Sequence, residues 1–314
     1  MNCGNVSNWV HWSYTVWTGR STVTVFSMVD MDVVLSSESR RNLALVPYPL
    51  PGRADRGENL VTHRPRRPRT ALRSPPVTPL LRERLDGGIE VLRINRPDKR
   101  NALDTATLAL LNGALAELSA DPDLRVLVIS TTSTTALCAG ADVSEPLDAA
   151  GGVARMEAFA ELYRLVDEVP VPTIAVCVGN CVGAGAEIVV GCDLRVGGDN
   201  LKLAWAGARL GVPVGPARLT PLVGLARAKD LVYTGRPVGL AEADSFGLFQ
   251  RTAPAAEAEA AALEVAAAIT RQSPVGVRVL KQMFRDLEGT AGRVAYENER
   301  LLEFQRTGAG LPQG

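Results

Sequence analysis

The chain has 314 residues, 46% of them hydrophobic, enough to bury a sizeable core in one or two domains, and no run reaches the roughly 18 uncharged apolar residues that a membrane span needs. Formal net charge is zero but unevenly placed: residues 1–85 carry twelve Arg and six acidic residues, a net +6, so residues 86–314 carry −6. The basic excess lies in a Pro-broken segment with no groove-fitting helix, which excludes a nucleic-acid-binding pattern.

In chain order, residues 1–84 read as a leader. Trp9, Trp12 and Trp17 stand in a Ser/Thr/Val region, and His63-Arg64-Pro65-Arg66-Arg67-Pro68-Arg69 and Ser74-Pro75-Pro76 follow. Prolines at this density prevent helix and central strand, so 47–80 is expected to be disordered. An Arg- and Ser-rich, acid-poor transit peptide is one reading of the leader; residues upstream of an internal start at Met28 or Met31 are the preferred one.

From residue 86 strands and helices alternate. Ile89–Asn95 alternates as a strand, Asp104–Leu118 is a helix with Asp104 as N-cap, Arg125–Ser130 is a buried strand, Val153–Val169 a helix and Thr173–Val178 another buried strand. Continuous apolar strands between helices predict an α/β fold with mostly parallel sheet covered by helices. After Gly211 the pattern is helical, over 217–225, 226–234, 240–246, 256–271, 275–287 and 293–304. No repeat at fixed spacing is present.

The two histidines, His11 and His63, both precede this body, which removes His-assisted Ser or Cys nucleophiles and His-ligated metal sites from it. Five cysteines (Cys3, Cys138, Cys177, Cys181, Cys192) are odd in number, without C-x-x-C spacing and mostly in apolar runs, as expected of free thiols in a reducing, cytoplasmic setting.

Two short stretches carry chemistry. Cys138-Ala139-Gly140-Ala141-Asp142 is a small-residue turn after an apolar strand, and Gly183-Ala184-Gly185-Ala186-Glu187 is a second, opening an apolar helix. Small side chains let a ligand oxygen approach the backbone, so two such turns can aim two N–H groups at one carbonyl oxygen, as in an oxyanion hole. Glu187 stands in the first turn of its helix, where its carboxylate and the helix N-terminus are expected to converge on one pocket.

With these motifs in hand, residues 86–290 resemble the crotonase superfamily, the enoyl-CoA hydratase and isomerase family. The resemblance rests on the order and spacing of Asn95-Arg96-Pro97-Asp98-Lys99-Arg100-Asn101-Ala102-Leu103, the Cys138 and Gly183 turns, Pro172-Thr173-Ile174-Ala175 leading to Gly179, Cys192-Asp193-Leu194-Arg195, Gly211-Val212-Pro213, Thr234-Gly235-Arg236 and Glu242-Ala243-Asp244-Ser245-Phe246-Gly247-Leu248. It implies a crotonase-like spiral of ββα units over 85–235 and a helical C-terminal trimerisation region over 236–314. It also implies a homotrimer or hexamer, to which Leu301, Leu302 and Phe304 offer apolar surface.

The resemblance further implies an acyl-CoA thioester ligand, coenzyme A being part of the substrate, with no separate cofactor and no metal. Ala141 and Ala184 match the oxyanion-hole donors and Glu187 the first catalytic glutamate, which in hydratases orients and activates water. Lys99 and Arg100 would lie at the adenosine end, where an ordinary solvated turn is the competing reading. Ala102, Ala139, Gly140, Asp142, Gly183 and Gly207 complete the implied substrate-binding set.

One departure stands out. The family's second glutamate position is Gly207, within Leu203-Ala204-Trp205-Ala206-Gly207-Ala208-Arg209-Leu210-Gly211, and no acid occurs between Asp199 and Asp230. This argues against the isomerase reaction and weakens standard hydration, since losing one positioned acid/base typically costs roughly 10²–10⁴-fold. Arg209 either places a cation near the pocket or faces solvent. Three functions stay open: enoyl-CoA hydration using Glu187, decarboxylation or hydrolysis by a single-carboxylate relative, and acyl-CoA binding without turnover.

Overall fold

The computed structural model describes residues 78–308, 310 and 311, and the backbone of two short strands nearer the N-terminus. These two, β1 (Tyr14–Thr18) and β2 (Ser21–Val25), pair antiparallel within a separate unit, Met1–Ala71. Of the stretch 47–80 expected to be disordered, residues 47–77 lie outside the described residues, as do the start-site candidates Met28 and Met31, whereas the Pro79 carbonyl accepts from Asn95 N–H (2.8 Å) and Leu80 opens a strand.

The second unit opens with β3 (Leu80–Leu85), antiparallel to β4 (Ile89–Ile94), and then α1 (Thr105–Ser119). Three strand-strand-helix units follow: β5 (Val126–Thr131), β6 (Ala136–Cys138) and α2 (Ala149–Glu168); β7 (Thr173–Cys177), β8 (Asn180–Val182) and α3 (Ala184–Gly191); β9 (Leu194–Gly198), β10 (Lys202–Ala204) and the short α4 (Gly207–Leu210). In each unit the first strand joins a six-stranded sheet, ordered β11-β9-β7-β5-β4-β3, and the second a three-stranded sheet, ordered β10-β8-β6. Every pairing but β3 with β4 is parallel in these two sheets, which is the expected ββα spiral. The chain continues through α5 (Pro216–Val223), α6 (Leu225–Thr234), α7 (Leu240–Ser245), β11 (Arg251–Ala253), α8 (Ala258–Thr270), α9 (Pro274–Glu288) and α10 (Thr290–Thr307).

The long apolar runs of β5 and β7 have two faces to fill. Leu127 and Ile129 point into the main core with α1, α2 and α3, while Val126 and Val128 point into a second core closed by Ala258, Ala262 and Ala266 of α8. Period-two alternation with both faces buried is why these strands read as unbroken hydrophobic segments. At α1, the Asp104 side chain caps the helix as expected, accepting from Thr107 N–H at 2.9 Å.

Two expectations need correction. The body starts at Leu80, ahead of the boundary at 84: β3 is an edge strand whose outward Arg82 and Arg84 reach the buried Glu90 carboxylate at 3.0 and 2.8 Å, so a polar-looking segment is held by its neighbour. Nor are residues 236–314 a purely helical appendage. β11 extends the main sheet, Leu301 is buried, and Leu302 and Phe304 pack on the core, so these three are spent within the chain. Among the described residues α9 leaves an apolar face open, where Val275, Val279, Leu280, Met283, Phe284 and Leu287 are each at least half exposed.

Candidate active site

The two small-residue turns meet. In the first, the Gly140 carbonyl accepts from Leu103 N–H (2.8 Å) and Asp142 N–H donates to the Leu103 carbonyl (2.9 Å), which turns the intervening Ala141 N–H to the opposite side, with no backbone acceptor. In the second, α3 begins at Ala184, whose N–H has no acceptor within its own helix. Gly140 and Gly183 adopt φ of 104° and 54°, and a Cβ on Gly183 would lie 3.9 Å from Gly140 Cα. Only glycine takes these conformations without strain and keeps the turns in contact.

Both turns wall a cavity of about 240 Å³. Ala139, Gly140, Ala141, Gly183, Ala184 and Gly207 all line it. The opposite wall, which the sequence reading missed, is Met156, Phe159 and Tyr163 of α2 together with Val212, Val214, Leu301 and Leu311. The 156-159-163 spacing was the available signal, one stripe of a helix, but a core stripe and a cavity stripe look alike in sequence.

The other predicted residues stand outside this cavity. Lys99 and Arg100 are exposed, and Ala102 is half-buried on the same loop. That loop is braced by Asn101, which donates to Thr131 Oγ1 (2.6 Å) and the Ala136 carbonyl (2.9 Å), and by the Arg100 carbonyl, which accepts from Ala139 N–H (3.1 Å). Asp142 is buried, accepts from Ser144 and from Arg96 Nη2 (3.1 Å), and so pins the first turn to the Arg96 loop. Arg209 is exposed and does not line the cavity, although its neighbour Leu210 does.

Glu187 is the main correction to the expected geometry. Its carboxylate does not line the cavity; it lies behind the wall, 1% exposed, with Oε1 accepting from Trp205 Nε1 (2.9 Å) and Oε2 from Arg218 Nη1 (2.8 Å). The same Nη1 donates to Glu297 Oε1 at 2.7 Å. Burial first, and then the Glu297 carboxylate, push Glu187 up to about 7 against the opposing pull of Arg218. Side-chain direction from the first turn of α3 depended on Arg218 and Trp205, which local sequence does not reveal.

The phenol of Tyr163 faces the Arg218 guanidinium, with Cζ 4.8 Å from the ring centroid. Burial, reinforced by Glu187, holds that phenol well above its ordinary range. Cys138, beneath the first turn, is pushed up to about 12 by burial and is no nucleophile. Among the described residues no group of three or more His, Cys, Asp or Glu is placed to hold a metal, and no helix is long and apolar enough to cross a membrane.

The spiral of ββα units, with α3 starting at an apolar cavity, is the architecture expected of the crotonase superfamily. The model of the enoyl-CoA hydratase/isomerase family matches residues 84–306, and the chain belongs to that family. It is 34% identical over 200 residues to a probable enoyl-CoA hydratase of Mycobacterium bovis, covering 63% of this chain and 77% of the relative. It is 35% identical over 205 residues to the mitochondrial enoyl-CoA hydratase domain-containing protein 2 of Mus musculus, covering 62% and 69%. The crystal structure of an enoyl-CoA hydratase from Bacillus anthracis superposes with a TM-score of 0.64 at 24% identity, over 76% of this chain and 100% of that one, a likeness of fold.

Proposed function

We propose that the chain binds an acyl-CoA thioester with its carbonyl oxygen between the N–H groups of Ala141 and Ala184, and turns it over through the enolate stabilised there. One observation carries this reading: two backbone N–H groups without backbone acceptors, from turns far apart in sequence, stand on one wall of an apolar cavity. Losing one preorganised donor of this kind typically costs roughly 10²–10³ in turnover. Coenzyme A enters as part of the substrate, and no further cofactor is proposed.

Enoyl-CoA hydration is the first candidate reaction, given the family. For Glu187 to activate water there, its carboxylate must leave Trp205 and Arg218 and cross the cavity wall. A single-carboxylate decarboxylase or hydrolase, or a binder without turnover, is the second reading, favoured by the absence of any Asp or Glu among the residues lining the cavity.

A panel of enoyl-, malonyl- and β-ketoacyl-CoA thioesters followed by mass spectrometry separates these readings. Ala184→Pro tests the hole itself, because proline is tolerated at the first helical position yet has no N–H; turnover should drop roughly 10²–10³-fold in a folded variant. Glu187→Gln abolishes turnover if the carboxylate activates water and spares it if the group only pairs with Arg218.

We also propose self-association as a homotrimer or hexamer, buried through the apolar face of α9, and a cytoplasmic setting consistent with four buried, unpaired thiols. Light scattering of Phe284→Asp/Leu287→Asp should show monomers where the parent protein is oligomeric. A parent protein that is itself monomeric at micromolar concentration overturns the assembly.

A further inference from the structure

We infer that Tyr163 is the proton donor of this cavity, delivering its phenolic hydrogen to the α-carbon of the bound thioester enolate. The inference rests on the thioester reading above and adds the acid that this reading lacks. Among the side chains lining the cavity, Tyr163 alone carries a transferable proton; the rest are Ala, Gly, Val, Leu, Met and Phe. It is 5% exposed, its hydroxyl has no hydrogen-bond partner among the described residues, and it is not one of the polar atoms sealed inside protein without a partner. A buried hydroxyl left unpaired by protein and open to a cavity is a group offered to a ligand.

The ring is held in place. Phe159 packs at 6.1 Å between centroids, and the Arg218 guanidinium lies 4.8 Å from the ring centroid, itself fixed by Glu187 and Glu297. Burial keeps the phenol above its ordinary range, so it stays protonated and can serve as a donor at neutral pH. The Glu187 carboxylate thus acts one step back, fixing the cation against which the ring is stacked.

The step balances without a carboxylate at position 207. The enolate oxygen rests on Ala141 and Ala184 N–H. The enolate π pair forms the new Cα–H bond as the Tyr163 O–H bond breaks, and the thioester C=O is restored. The phenolate left behind, with the Arg218 guanidinium over its ring, regains its proton from the water that adds to the β-carbon in hydration, or, after loss of CO₂, from a solvent water whose hydroxide combines with that CO₂ as bicarbonate. Nothing is oxidised or reduced, and the step serves an enolate formed either by addition of water to an enoyl thioester or by loss of CO₂ from a malonyl thioester.

Tyr163→Phe in the full chain is the test, since it keeps the ring and its stacking on Arg218. With crotonyl-CoA and malonyl-CoA as substrates in D₂O, turnover and deuterium at the product α-carbon should fall by at least about 100-fold. Affinity for butyryl-CoA, measured by calorimetry, should stay within about threefold of the parent, with an unchanged melting temperature. A variant that turns over within about threefold of the parent overturns the inference, as does one that loses binding and melting temperature together, which would mark a structural role. A parent protein that binds butyryl-CoA but processes neither substrate also overturns it. Absence of butyryl-CoA binding by the parent overturns the thioester reading itself, on a separate measurement.

Discussion

Glu187 of α3 and Glu297 of α10 share one donor, Nη1 of Arg218, at 2.8 and 2.7 Å. Both carboxylates are nearly solvent-free, so the guanidinium is their common counter-charge in a low-dielectric site. The contact ties the helix whose first N–H faces the cavity to the helix that supplies Leu301 to its far wall. Glu297 also accepts from Ala217 N–H at 2.8 Å, bringing in the start of α5.

Removing that counter-charge should be costly. Arg218→Met leaves two buried carboxylates facing each other and is expected to lose about 3–5 kcal/mol in urea unfolding. Adding Glu187→Gln and Glu297→Gln should recover part of the loss, because the uncompensated charges go with them. A single Arg218→Met variant as stable as the parent removes the ionic account of this site.

Stability should also depend on pH through Glu187. Its folded-state value of about 7 lies above the ordinary 4.5, so the folded chain holds this proton more tightly than the unfolded chain does. The sign follows: the contribution is fully present below about 4.5 and is lost as pH rises through about 7. Glu297, Arg218 and Tyr163 are the charged or titratable groups acting on it. Chemical denaturation between these limits should show falling stability in the parent and a flatter profile in Glu187→Gln; identical slopes in the two proteins contradict the assignment.

Restoring a glutamate at position 207 should fail on steric grounds. A Cβ there would stand 2.6 Å from the Val212 carbonyl oxygen and 3.0 Å from Val214 Cγ1, so the obstacle is close approach of the 212–214 segment. Gly207→Glu and Gly207→Ala should each lose about 1–3 kcal/mol, and neither should gain crotonyl-CoA hydration. A stable Gly207→Glu variant with raised hydration would show that the segment yields and that a carboxylate was the missing part.

Two truncations should part company. A chain beginning at Thr78 keeps β3, whereas one beginning at Leu85 loses the strand paired with β4 and strips Arg82 and Arg84 from buried Glu90. The shorter chain should be less stable by about 3 kcal/mol or more, read by thermal or urea unfolding, because a buried carboxylate is left without its partners. Equal melting temperatures would mean that β3 contributes nothing to the body.

What the sequence determined by itself was whatever is decided by near neighbours. Unbroken apolar runs at 126–129 and 173–177 specify strands buried on both faces, Asp104 specifies a helix start, and the small residues at 139–141 and 183–186 specify turns whose backbone can be approached. Packing decided the rest. The charged edge strand β3 exists because Glu90 lies beside it, and Glu187 turns from the cavity because Arg218 and Trp205, 31 and 18 residues later, take both its oxygens. Tyr163, itself part of the main core, also becomes a cavity residue because Leu301 and Leu311 close that space from the far end of the chain. A side chain's partners across such separations follow from how the layers stack, and no local pattern encodes them.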